Sequence, residues 1–156
     1  MACLVSDGIE VGIDLEPHGR AEAIAEIAVR VFSPAELAQY EALTGVEKLE
    51  RALSLWTLKE AYAKARGLGL SLPLEKISFL FGGEEGIRLE LDSEIGDDSG
   101  RWQFCLLEHA GHRIAVVTER IPALRLQFCE ARQVLAEPKR LGSAGVRWFA
   151  NPAKAR

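Results

Sequence analysis

A helix-length run, Trp56-Thr57-Leu58-Lys59-Glu60-Ala61-Tyr62-Ala63-Lys64, constrains this chain more than any other stretch. Strong helix formers dominate it, and Leu55, Leu58, Tyr62 and Ala65 recur at helical spacing, so the pattern predicts a helix with one face in a core. Trp56, Glu60 and Lys64 follow at i, i+4 and i+8 with Lys59 and Ala63 beside them, which predicts a second, charged stripe about 100° away around the helix. Read alone, Glu60 and Lys64 form an ordinary helix-surface ion pair worth roughly 0.2–0.5 kcal/mol, and no function is needed to explain it.

Upstream, Val11-Gly12-Ile13-Asp14-Leu15-Glu16 alternates as a strand does, placing Asp14 and Glu16 on one face and Ile13 and Leu15 on the other. Two adjacent like charges are unfavourable unless a cation neutralises them, and a hard divalent ion such as Mg²⁺ suits oxygen ligands. The alternative is a strand end running into a solvated loop at Glu16-Pro17-His18-Gly19.

The rest of the chain supplies the frame. Residues 21–31 carry a helical stripe of Ile24, Ile27, Ala28 and Val31. Ser33-Pro34-Ala35-Glu36 then spells a capping box, with Phe32 placed to staple onto Leu37, so helix closure accounts for Glu36 without a catalytic role. Thr44-Gly45-Val46-Glu47 repeats the capping pattern and opens the long helix, which is expected to stop at Gly67. Ala2–Val5 and Ile9–Leu15 read as a hairpin turning at Ser6-Asp7-Gly8. Residues 76–81, 86–91, 102–108 and 113–118 are short runs of β-formers that predict an antiparallel meander joined to it. The expected fold is α+β, an antiparallel sheet packed with about three helices.

At 156 residues the chain suits one domain with a real core, and 48% hydrophobic content with mixed charge argues for a folded, water-soluble protein. A net charge of -4 gives no reason to expect nucleic acid, and no apolar run approaches a membrane helix. Met1-Ala2-Cys3-Leu4-Val5 lacks the basic start of a secretory signal, so a cytoplasmic location is expected. Cys3, Cys105 and Cys129 have no metal or redox spacing and read as reduced thiols. His109 and His112 bracket a hairpin tip, and His18 has no partner legible in the sequence. Walker and dinucleotide phosphate loops and nucleophile elbows are missing.

Three blocks together are more informative than any one. Gly12-Ile13-Asp14-Leu15-Glu16, Phe32-Ser33-Pro34-Ala35-Glu36 and Trp56 to Lys64, followed by Gly67-Leu68-Gly69-Leu70-Ser71-Leu72-Pro73, resemble in order and spacing the signature of the Sfp-type 4′-phosphopantetheinyl transferases. The resemblance covers residues 2–120 and is to the carboxyl-terminal half of such an enzyme. It implies the phosphopantetheinyl transferase fold and transfer of the 4′-phosphopantetheine arm of coenzyme A to a serine of an apo carrier protein, releasing 3′,5′-ADP. It further implies that Asp14, Glu16 and Glu60 hold Mg²⁺, or Mn²⁺, against the diphosphate. By the same resemblance Glu60, directly or through a metal-bound water that Glu16 helps orient, serves as base for the serine proton, Lys64 stabilises or protonates the leaving phosphate, and Lys59 makes a weaker phosphate contact.

The amino-terminal half of such enzymes helps grip the nucleotide, so the resemblance implies a homo-oligomer or a complementing chain that completes the site. The alternative is a noncatalytic module that binds a carrier protein or partner chain. Residues 1–131 are expected to form the domain and 132–156 a basic tail, partly ordered or docked through Trp148 and Phe149.

Overall fold

The computed structural model describes residues 2–4, 6–82, 86–122, 124–126, 128–130, 139–142 and 149–150. The acidic strand β1 (Val11–Pro17) leads into α1 (Ala21–Val31), α2 (Pro34–Glu41) and the long α3 (Gly45–Ala65). Strands β2 (Ile77–Phe81), β3 (Ile87–Leu91), β4 (Trp102–His109) and β5 (His112–Glu119) follow, then the short β6 (Phe128–Glu130), β7 (Lys139–Gly142) and β8 (Phe149–Ala150).

The expected single meander is divided. Strands β1, β5, β4 and β8 form one antiparallel sheet in that order, β2 pairs with β3, and β6 pairs with β7. Among the described residues β1 has no hairpin partner before it. It pairs instead with β5, setting Asp14 opposite Ala115 and Glu16 opposite Arg113. Residues 2–4 are not strand, so the opening hairpin is corrected.

Gly12 decides how helix and sheet meet. A Cβ there would stand 2.0 Å from the Ala61 carbonyl oxygen and 2.5 Å from the Ala65 nitrogen, so only a glycine lets the α3 backbone lie directly on β1. Ala61 and Ala65 are the small residues this approach needs on the helix side, and both are buried. The face of β1 under α3 is therefore the one bearing Gly12, Asp14 and Glu16, all buried. Ile13 and Leu15 pack on the opposite face with Cys105, Ile114 and Val116.

Helix α3 is central and not half-solvated. Ala52, Leu53, Leu55, Leu58, Tyr62 and Ala63 join Ile24, Phe32, Phe79, Trp102 and Phe104 in the main core. The expected charged stripe is split: Trp56 and Glu60 are half-buried and Lys64 is exposed, but Lys59 and Ala63 lie inside. The sheet covers one side of α3, while α1, α2 and the β2–β3 hairpin cover much of the rest.

Helix ends follow the sequence with one exception. Ser33 and Glu36 form both bonds of the capping box at α2. Gly67, at φ 64°, follows Arg66, the C-cap residue of α3. Thr44, however, makes no side-chain cap bond, because Gly45 enters the helix at φ 55°, outside the backbone geometry that a capping box requires. Phe149 of β8 stacks on Phe104 with ring centres 6.2 Å apart; Trp148 and most of residues 132–156 lie outside the described residues.

Candidate functional site

Where β1 passes beneath α3, Asp14, Glu16, Glu60 and Lys64 are brought together. Lys64 donates to Asp14 Oδ1 at 2.6 Å, reaching from a half-exposed position to a carboxylate that is nearly covered. The other oxygen, Asp14 Oδ2, is buried and has no hydrogen-bond partner. Burial raises the Asp14 carboxyl above its ordinary range; Lys64 opposes that shift and Glu16 adds to it.

Glu16 is held from two sides. Trp56 donates its indole N–H to Oε1 at 2.9 Å, and Arg20 Nη1 bridges Oε1 and Oε2 at 2.8 Å each. Glu60 makes no hydrogen bond or ion pair among the described residues. Burial, then the nearby Asp14 carboxylate, raise its carboxyl above the ordinary value. Three acids thus crowd one place, with two basic side chains reaching in from the solvent side.

Lys59 does not join them. Its ammonium is fully buried and donates to the Leu74 carbonyl at 2.6 Å and the Ile77 carbonyl, while pairing with Glu36 Oε2 at 2.8 Å. All three ammonium protons have acceptors, which corrects the expected phosphate contact. Glu36 also accepts from the Ser33 and Phe79 backbone N–H groups at 2.8 Å, so this capping residue ties α2 and β2 to α3. Burial pushes Glu36 up and Lys59 down.

The sequence reading missed Arg20 and the Trp56–Glu16 bond. A cation four residues after Glu16 was a visible signal, but the intervening Pro17-His18-Gly19 concealed that the chain turns back on itself there. His18 also finds partners, lying 3.2 Å from Glu50 and 2.8 Å from Glu108. Those three residues can bring one ligand atom each within 4.8 Å of one another, the only such cluster of potential metal ligands among the described residues. Arg113 already pairs with both of its carboxylates. Asp14, Glu16 and Glu60 do not form such a cluster among the described residues.

The residues fit a hard divalent cation. Among the described residues Asp14 Oδ2 is an acceptor without a donor and Glu60 is unpaired, and the donor set is all oxygen. Asp14 can ligate through Oδ2 while Lys64 stays on Oδ1, whereas Arg20 engages both oxygens of Glu16 and would have to yield there for all three acids to ligate. Among the described residues no helix is long and apolar enough to cross a membrane.

The family model described as ACPS, 4′-phosphopantetheinyl transferase superfamily, matches residues 10–117, a span that includes Asp14, Glu16, Glu60 and Lys64. The 4′-phosphopantetheinyl transferase Sfp of Bacillus subtilis strain 168 is 35% identical over 90 residues, 57% of this chain and 35% of that protein. A holo-[acyl-carrier-protein] synthase of Limosilactobacillus reuteri is 35% identical over 68 residues, 41% of this chain and 57% of the relative. The chain therefore spans less than two thirds of either. In fold it is similar to a holo-(acyl-carrier-protein) synthase from Bacillus anthracis solved with CoA (3′,5′-ADP), with TM-score 0.60 and 21% identity over 71% of this chain and 96% of the other.

Proposed function

Because this chain belongs to the 4′-phosphopantetheinyl transferase superfamily, we propose that it moves the 4′-phosphopantetheine arm of coenzyme A onto a serine of an apo carrier protein. The serine oxygen forms a bond to the phosphorus bearing the pantetheine, the diphosphate linkage breaks, and 3′,5′-ADP leaves. Such a step asks mainly for positioning and for positive charge at phosphate oxygens. The observation that carries the reading is Glu60, unpaired among the described residues, beside an Asp14 whose buried oxygen has no donor among them.

Asp14 and Glu60, joined by Glu16, would hold Mg²⁺ or Mn²⁺, which when bound supplies charge neutralisation at the diphosphate. Glu60, whose carboxyl is raised by burial and by Asp14, takes the serine proton. Lys64 is half-exposed and long enough to leave Asp14 for the phosphate of the departing 3′,5′-ADP. Trp56 keeps Glu16 oriented throughout. A second copy of this chain, or a complementing chain, supplies the remaining wall of the nucleotide site, and the protein works in the cytoplasm with its substrates.

One observation favours a second reading. Lys64 on Asp14 and Arg20 on Glu16 balance two of the three acids from within the chain, as a noncatalytic module that binds carrier proteins would keep them. Incubating the chain with coenzyme A, Mg²⁺ and an apo carrier protein, then weighing the carrier by mass spectrometry, separates the two. Transfer is expected, and should be lost in Glu60→Gln. A carrier that binds but gains no mass would select the binding module, and light scattering on the same sample reads the assembly state.

A further inference from the structure

We propose that Arg20 is the site's resident counter-ion: it neutralises Glu16 while no metal is bound, is released when a divalent cation enters, and then binds the diphosphate of the substrate. This rests on the transferase reading above and assigns Arg20 a task of its own within it.

Glu16 is 8% exposed while the Arg20 side chain is 50% exposed, so the arginine reaches in from solvent to a nearly covered carboxylate. It is anchored there through one nitrogen alone, Nη1, which spans both carboxylate oxygens. Among the described residues Nη2 and Nε make no hydrogen bond. Those idle donors lie on the planar fork that matches phosphate oxygens. Lys64 repeats the arrangement at Asp14, being 48% exposed above a carboxylate that is 9% exposed.

The charge balance then changes sign with metal. Asp14, Glu16 and Glu60 stand against Lys64 and Arg20, which leaves one net negative charge and an attraction for cations. A bound divalent ion turns that into one net positive charge, an attraction for a diphosphate. Glu16 does not depend on Arg20 alone for its position, since the Trp56 indole also holds Oε1 at 2.9 Å. Arg20 also lies near enough to Glu60 to lower that carboxyl's affinity for a proton, so its reach covers the whole acid group. Once freed, it has no other carboxylate to return to among the described partners of its guanidinium.

Calorimetric titrations of the full chain test this, first with Mg²⁺ alone and then with coenzyme A at saturating Mg²⁺. Arg20→Gln should bind Mg²⁺ about ten-fold more tightly and coenzyme A about ten-fold more weakly, because a competitor and a charge-assisted phosphate contact vanish together. Arg20→Lys should recover part of both changes, and far-UV circular dichroism should match wild type. Arg30→Gln, a change of equal charge at the far end of α1, should move each constant by less than about two-fold, as expected of a screened exposed charge. Arg20→Gln shifting both constants in the same direction, or leaving either unchanged, would overturn the proposal, as would Arg30→Gln reproducing its effects. Wild-type protein that binds neither Mg²⁺ nor coenzyme A would instead sink the transferase reading itself.

Discussion

Replacing Gly12 with alanine is the sharpest test of how the site is built. The added Cβ would lie 2.0 Å from the Ala61 oxygen, 2.5 Å from the Ala65 nitrogen and 3.1 Å from the Ala61 carbonyl carbon, all backbone atoms that no rotamer change can move. Gly12 is not in the left-handed region, so the effect is steric and carries no backbone-strain component. Bringing even the closest contact out to the 3.0 Å limit of real Cβ atoms requires α3 and β1 to part by about 1 Å. Overpacking of this kind costs about 1–3 kcal/mol, and backbone on the receiving side puts Gly12→Ala near 3 kcal/mol. At roughly 2–4 °C per kcal/mol for a chain of this size, thermal unfolding followed by circular dichroism should begin about 6–12 °C lower. The same parting loosens Lys64 from Asp14, so Mg²⁺ affinity should change as well. Ala61→Gly should not rescue the variant, because the clash is with the carbonyl and not with a side chain. A melting temperature within about 2 °C of wild type, or a rescue by Ala61→Gly, would refute the close-approach argument.

The remaining predictions concern charge. Glu60→Gln should slow transfer by about 10²–10⁴-fold, the usual contribution of a positioned base, in a mass-spectrometric time course. The same variant should melt higher than wild type at pH 7: burial and Asp14 raise the Glu60 carboxyl above 4.5, so its ionisation opposes folding as pH rises through the raised value, and the difference should close below pH 4.5. Lys59→Met should cost about 3–5 kcal/mol in urea unfolding by stranding the Glu36 carboxylate, and a Glu36→Gln partner substitution should return most of it. Asp97 runs the other way: burial pushes it up, but bonds from Tyr62, Trp102, the Asp98 N–H and Arg66 hold it below 3.8. It stabilises the fold above pH 3.8 and ceases to as pH falls through the depressed value, so Asp97→Asn should melt well below wild type at pH 6 and converge with it in acid.

The local signals were legible wherever one residue's chemistry sufficed. Helix α1, the capping box at Ser33 and the stop at Gly67 follow from neighbours in sequence, as do strands β2 to β5. Partners chosen across the chain were not legible. A period-2 pattern gives a strand but not the strand beside it, so β1 was matched to Ala2–Val5 when its partner is β5. The acids of the site were visible through their spacing and through the resemblance of whole blocks, while their counter-ions were not. Asp97 gathers Tyr62, Arg66 and Trp102 from two elements, and no spacing announces that. Lys59 failed for a related reason: periodicity separates apolar from charged faces, whereas a helix covered on most sides can bury a lysine once a carboxylate is buried with it.

Lys59 and Glu60 are adjacent in sequence, yet one is a buried tie and the other the candidate base, and the first explains the second. Successive helical residues point about 100° apart, so an ammonium fixed on α2, on β2 and on the turn before it through Glu36 and the Ile77 and Leu74 carbonyls also fixes the rotation of α3 that turns Glu60 toward β1. On the opposite side Gly12 sets the distance at which α3 rests on the strand. Rotation is thus set by an ion pair and separation by a missing methyl group, and neither residue has to touch a substrate. Lys59→Met/Glu36→Leu, which replaces the tie by apolar packing, is then expected to keep the protein folded while degrading Mg²⁺ affinity, since rotation loses its anchor before the core loses its area. A folded double variant with wild-type Mg²⁺ affinity would show that the core shape alone orients Glu60, and would remove Lys59 from the argument.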